Sequence, residues 1–230
     1  MIKIEKTEIL GWEAAIRGMR NPLNSWEKSD SYWTHIEDAE TLETAPFQFF
    51  LGENDLDLMK RLRNAGTDHR KYMRMITVYV DLTAPLYWWK EFDTYKVGTV
   101  ANSCSTMHKI HAKKFELSDF SCEHLFDSSL CGLEEIIKRL NFWRSCFIEQ
   151  SNSETRRDDC VSAKECWWQM IQLLPSSYNQ KRTVLLNYEV LANIYKSRKN
   201  HKLDCWHTFC DWIETLPYAK ELICGVDQNP

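Results

Sequence analysis

Two polar side chains set the terms for the stretch 185–213, LLNYEVLANIYKSRKNHKLDCWHTFCDWI, namely Asn187 and Arg198. They lie eleven positions apart, close to three helical turns. On one continuous helix they share a side with Val184, Leu191, Ile194 and Tyr195, while Glu189, Lys196 and Lys199 point to solvent. A guanidinium on an apolar face is costly unless it is paired, so Arg198 either has a buried partner or lines a cleft. The alternative is an arginine that snorkels and, with Lys196 and Lys199, offsets the C-terminal dipole. Arg17 and Arg20, three apart, either present both guanidiniums to an anion or form an exposed basic face. His108 and His111 have metal-capable spacing but no third ligand at a fitting distance along the chain, and His201 and His207 do not share a helix face. No P-loop, dinucleotide glycine motif or Ser-His-Asp order is present.

The background composition narrows the class. The 230 residues are 43% hydrophobic, with ten Trp, ten Phe and nine Tyr but only seven Gly and six Pro, which favours long helices over a many-stranded sandwich. A net charge of -4 gives no general drive toward nucleic acid or acidic membranes. Nine cysteines without a CxxC pair, in a chain with no signal-peptide pattern, read as reduced thiols and a cytoplasmic protein. No apolar run approaches the ~20 residues of a bilayer span.

The elements that must position the polar groups follow in order. Alternation predicts a strand at the N-terminus, then a helix from Trp12 to Arg20 stopped by Asn21-Pro22. The loop through Asp30 holds Asn24, Ser25, Lys28 and Ser29, suited to nucleotide contacts but equally to any loop. Residues 54–65 predict a helix capped by Asn54 or Asp55, with Leu56, Met59 and Leu62 inward, ended by Gly66. Met73 to Leu82 predicts a strand with Ile76, Val78 and Val80 on one face, and Thr83-Ala84-Pro85 opens a helix containing Trp88-Trp89. A small, polar segment follows Lys96. Cys131 to Glu149 predicts a long helix with Ile136, Ile137, Leu140 and Phe147 inward. Asp159 would cap the next helix, which runs to Leu174, with a connection at 176–182. The Asn187–Arg198 helix and a last helix over Cys205–Thr215 complete a single domain, 1–230, with a mobile tail of about a dozen residues.

Taken together, a helix, a Gly-x-x-His turn (Gly66, His69), a strand, Ala84-Pro85, a polar segment at 94–108, Leu174-Pro175 and Asn187-x5-Asn193-x4-Arg198 resemble the flavin-dependent thymidylate synthases. The resemblance implies an α+β fold, a mixed or antiparallel sheet flanked by helices with a helix-rich C-terminal half, assembled as a homotetramer with sites at subunit junctions. It implies FAD as cofactor and a dUMP-like pyrimidine nucleotide as ligand, with NADPH and methylenetetrahydrofolate if the chain is enzymatic. His69 and Asn193 would lie at the flavin, and Arg198 and Asn187 at the pyrimidine, where an arginine fork raises the electrophilicity of a uracil carbonyl.

The signature residues depart from that pattern. The Arg-His-Arg positions are Thr94, Tyr95 and Lys96, and the resemblance assigns Tyr95 and Lys96 to the cofactor side. The signature serine falls at Cys104, with Ser105 one step away, and both are candidate reactive groups; a thiol is the stronger nucleophile, or one of nine ordinary thiols. The arginine two places on is Thr106, Glu-x-x-Arg becomes Trp168 and Ile171, and an arginine two after Asn187 becomes Glu189. Lys90, Lys96, Arg17 and Arg20 are candidates to supply the missing cations. Two functions remain open, an FAD-dependent one-carbon transfer to C5 of the pyrimidine or a non-catalytic nucleotide-binding or assembly protein on the same scaffold.

Overall fold

The computed structural model describes residues 2–35, 47–152, 154–155 and 161–225. It is α+β, with antiparallel sheets flanked by helices. The strands are β1 (Lys3–Leu10), β2 (Tyr32–His35), β3 (Phe47–Phe50), β4 (Thr77–Pro85), β5 (Val100–Ser103) and β6 (Asn179–Asn187). The helices are α1 (Trp12–Arg20), α2 (Glu53–Asn64), α3 (Leu86–Phe92), α4 (Asp127–Ser151), α5 (Ala163–Leu173), α6 (Tyr188–Arg198) and α7 (Asp204–Glu214). One sheet has the order β1-β4-β6-β5, and β2 pairs antiparallel with β3, Tyr32 opposite Phe50. The contacts divide the chain into two compact units, residues 1–5, 81–94 and 101–183 against 6–80, 95–100 and 184–230.

In the first unit, α4 and α5 pack face to face over Ile110, Phe115, Phe120, Leu133, Ile137, Leu140 and Met170. Trp88 and Trp89 of α3 are fully buried, and the Trp89 indole donates to the Gln180 carbonyl at 2.9 Å. The adjacent Trp88 and Trp89 both go inward, as does Phe92, on a helix only two turns long. Leu133 takes the inward place expected of Ile136, which is exposed. Ser162 caps α5 through a capping box with Glu165; the expected cap, Asp159, lies outside the described residues.

In the second unit, α1, α6 and α7 bury Trp12, Ile16, Tyr188, Leu191, Trp206 and Phe209. The inward face of α2 is Asp55, Leu58 and Met59 rather than Leu56, Met59 and Leu62, and neither Asn54 nor Asp55 is its cap. Gly11 turns β1 into α1 at φ +95°, where an added Cβ would lie 2.0 Å from the Met75 carbonyl oxygen. Leu222 and Ile223, in the expected mobile tail, are buried; residues 226–230 lie outside the described residues.

The largest departure concerns Asn187. Residues 179–187 form a strand, including the expected connection and the expected start of the helix. Gln180, Val184 and Leu186 are buried while Lys181 and Thr183 are exposed, the period of two that a ladder imposes. The helix starts only at Tyr188, so Asn187 is its cap and shares no helix face with Arg198.

Candidate functional site

The β6–α6 junction is held by Asn187. Its Oδ1 accepts the Val190 N–H at 3.0 Å and its Nδ2 donates to the Gly98 carbonyl at 3.4 Å. Gly98 has φ +80°, and a Cβ there would come within 2.7 Å of that amide, so only glycine lets the 95–100 segment approach. The segment carries Tyr95, whose hydroxyl accepts from Arg198 Nε at 2.9 Å. The Arg198 guanidinium lies 5.6 Å from the Tyr95 ring and 4.8 Å from the buried Trp206 ring, and the two rings meet edge to face. Arg198 therefore has the partners its position demanded, an aromatic platform and a phenol, contacts of about 0.5–2 kcal/mol each when part-desolvated. Lys96, beside Tyr95 in sequence, is exposed.

Glu189, expected in solvent, is buried. Arg70 Nε donates to its Oε1 at 3.3 Å; Arg74 bonds both oxygens, through Nε to Oε2 and through Nη2 to Oε1 at 3.3 Å. That hydrogen bond and the Glu189 charge hold the Arg74 guanidinium above its ordinary value. Arg70 Nη2 also reaches Asn193 Oδ1 at 3.5 Å. His69 precedes the 3₁₀ turn Arg70–Arg74 and is exposed, its backbone N–H on the Gly66 carbonyl at 3.1 Å. Glu189 and Asn193 are one turn apart, whereas Arg198 is roughly 140° further round α6. The structure thus gathers Arg70, Arg74, Asn193 and Glu189 on one flank of the helix, with His69 next to Arg70 in sequence, and Tyr95, Trp206 and Arg198 on another.

Arg17 and Arg20 are not brought together. Arg17 is exposed; Arg20 is buried and donates to Asp55 Oδ1 at 2.6 Å, the Ser25 carbonyl at 3.1 Å and the Lys28 carbonyl at 3.0 Å. Asp55 Oδ2 accepts the Ser29 and Ser31 hydroxyls, each at 2.7 Å. Burial pushes the Asp55 carboxyl up, but the hydrogen bonds from Ser31, Ser29 and Arg20, with the Arg20 charge, outweigh it and hold it below its usual value. Ser25, Lys28 and Ser29 thus serve this ion pair through side chain or backbone. Arg20 is buried with four of its five N–H donors committed inside the fold, which takes it away from a substrate.

Within the first unit, Cys104 and Ser105 border a cavity of about 500 Å³ that also meets Lys109, Lys113, Tyr178 and Asn179. Cys104 is exposed, with its N–H on the Lys181 carbonyl at 2.9 Å and its carbonyl on Gln180 Nε2 at 2.8 Å. The Ser105 hydroxyl accepts the Met107 and His108 N–H groups at 3.2 and 2.8 Å, a turn-forming role. Lys113 is ion-paired with Asp119, and the buried Asn179 Oδ1 has no donor among the described residues. A volume of this size suits a nucleotide-sized ligand. Among the described residues no three His, Cys, Asp or Glu side chains group as a metal site, and no helix is long and apolar enough to cross a membrane.

Sequence reasoning missed Arg70, Arg74 and Trp206. The pair Arg70–Arg74, four apart directly after the Gly66–His69 turn, was the available signal; nothing along the chain marks Trp206 as the ring beneath Arg198.

The architecture is that of an α+β protein with antiparallel sheets flanked by helices. No family model and no curated protein matches the sequence. Among solved structures the chain is similar to thymidylate synthase X from Helicobacter pylori with FAD and dUMP, at 15% identity over 99% of this chain and 100% of that one, TM-score 0.63. It is also similar to a second structure, the flavin-dependent thymidylate synthase of the same organism complexed with FAD and dUMP, at 15% identity, 96% and 97% coverage and TM-score 0.61. At such identity the likeness defines the fold.

Proposed function

We propose that the chain binds a pyrimidine deoxynucleotide of the dUMP type and FAD, as a homotetramer, and that Arg198 is the pyrimidine-recognising group. The observation that carries this is the Arg198 platform. Its guanidinium is oriented by the Tyr95 hydroxyl and the Trp206 face at the position where the family places an arginine on the base. A fixed fork gives directed donors to a uracil carbonyl and draws electron density from the ring, favouring attack at the pyrimidine. Asn187 holds the 95–100 segment in place and acts through Tyr95. Flavin, when bound, supplies hydride chemistry, and the exposed His69 with the amide of Asn193 would flank it; both are polar, and the cationic Arg70 and Arg74 beside them suit an anionic cofactor. In the catalytic form methylenetetrahydrofolate gives its one-carbon unit to C5 of the pyrimidine and NADPH is the reductant. Cys104 and Ser105 border the cavity of the first unit, where Lys109 suits a phosphorylated ligand.

A second reading, a non-catalytic nucleotide-binding or assembly protein, is favoured by Thr106, Trp168, Ile171 and Glu189 standing where the family has guanidiniums and a carboxylate. Calorimetric titration with dUMP separates binding from its absence. Arg198→Ala should weaken dUMP at least tenfold, with circular dichroism showing that the fold is kept despite the lost Tyr95 and Trp206 contacts. Binding that survives the substitution would remove Arg198 from the base. An absorbance scan with and without FAD then distinguishes the catalytic form from the non-catalytic one.

A further inference from the structure

Glu189 is clamped by two arginines when one would neutralise it. We propose that the Arg70–Arg74 fork, fixed by Glu189, is the seat of the pyrophosphate of a dinucleotide cofactor. The inference rests on the flavin reading above and assigns its phosphates to residues outside the signature segment.

The charge count comes first. Arg70 and Arg74 pair with Glu189, and Asp68 is near enough to act on Arg74; with Lys71, next to Arg70 in sequence, these five charges sum to one net positive. Part of that charge is desolvated. The Arg70 side chain is 12% exposed and that of Glu189 10%, whereas Arg74 is 52% exposed. A carboxylate this dry holds its partners firmly, because releasing either guanidinium would leave a buried charge less compensated. Glu189 also sits in the first turn of α6, where unsatisfied N–H groups add positive potential.

The geometry follows from the same bonds. Arg74 spends Nε and Nη2 on Glu189; Arg70 spends Nε on Glu189 and Nη2 on Asn193. The Nη1 group of each is uncommitted among the described residues. Two guanidiniums bonded to one carboxylate and sharing its Oε1 leave two donor groups, one for each of two linked phosphates rather than a single phosphate. Glu189 is then a positioning residue. It stands where the resemblance expects an arginine and binds two arginines of the 70–74 turn instead.

The test measures affinities of the purified full chain for FAD, FMN, riboflavin, ADP and inorganic pyrophosphate by calorimetry. FAD should bind at least tenfold tighter than riboflavin, with ADP and pyrophosphate competing. Arg74→Ala, at a half-exposed position, should abolish that preference and leave riboflavin unchanged. Glu189→Gln should also weaken FAD, although it raises the local positive charge by one; a purely electrostatic attraction would tighten instead. Unchanged FAD affinity in Arg74→Ala, or tighter FAD in Glu189→Gln, overturns the proposal and leaves the flavin reading intact. A wild type that binds ADP and pyrophosphate in an Arg74-dependent way but no flavin retains the proposal and sinks the flavin reading. A wild type that binds none of the five overturns both. FMN equal to FAD would make the seat one for a single phosphate and overturn the diphosphate assignment.

Discussion

At the scale of single residues, ion pairing inside the fold decides which charges remain for ligands. Arg20 and Asp55 are both buried and bonded to each other and to the 25–31 segment. Removing one partner strands the other, so Arg20→Leu should lower stability by about 3 kcal/mol or more, read by urea denaturation. The acid response has a definite sign. Asp55 titrates below its ordinary value in the folded chain, so its contribution is complete above roughly pH 4 and is lost as pH falls through the lowered folded value. Melting temperature should therefore drop on the acid side. Ser31→Ala, which deletes one of the hydroxyls holding the carboxylate charged, should move that drop to higher pH. At Arg198 the expected loss from Tyr95→Phe is smaller, about 1 kcal/mol in dUMP binding, because the Trp206 platform remains.

At the scale of elements, the β6–α6 junction separates structural from ligand roles. Asn187 was read from the sequence as a substrate contact and stands in the structure as the cap of α6. Asn187→Ala should cost about 1 kcal/mol in thermal or urea unfolding, and Asn187→Ser, which still caps, a few tenths. A serine variant that keeps stability yet loses dUMP would show that the amide's bond to Gly98, which holds the segment carrying Tyr95, positions the site. The β1–α1 turn is stricter. Gly11→Ala places a methyl against the Met75 carbonyl at a positive φ, and should reduce soluble folded yield, seen by circular dichroism.

At the scale of the whole molecule, the proposal is an assembly. A native mass of four copies of the 27.3 kDa chain, with a bound flavin spectrum, is the expected outcome of mass measurement and absorbance on one sample. A tetramer without flavin keeps the nucleotide reading and removes the redox step. The likeness to the Helicobacter pylori structures extends over nearly the full length of both chains at 15% identity, so the scaffold tolerates wide replacement of side chains.

What the sequence determined by itself was the elements with strong periodicity. The strand over Val78 and Val80, which begins at Thr77 rather than Met73, and the helices 12–20 and 204–214 were legible because alternation and the 3.6-residue stripe come from burial on one face. The α+β class came with the family resemblance, which also named Arg198, Asn193, His69 and Cys104 as candidates. Pairing was not legible. That Glu189 would be buried, that Arg70 and Arg74 would close on it across more than a hundred residues, and that Arg20 would be spent on Asp55 are long-range facts. Local sequence scores an isolated charge as solvent-facing, since only a partner brought in by the fold offsets its desolvation. The strand at 179–187 was hidden for the same reason: a ladder is a property of neighbours, and tertiary pairing overrode a helical stripe that continued smoothly into Asn187.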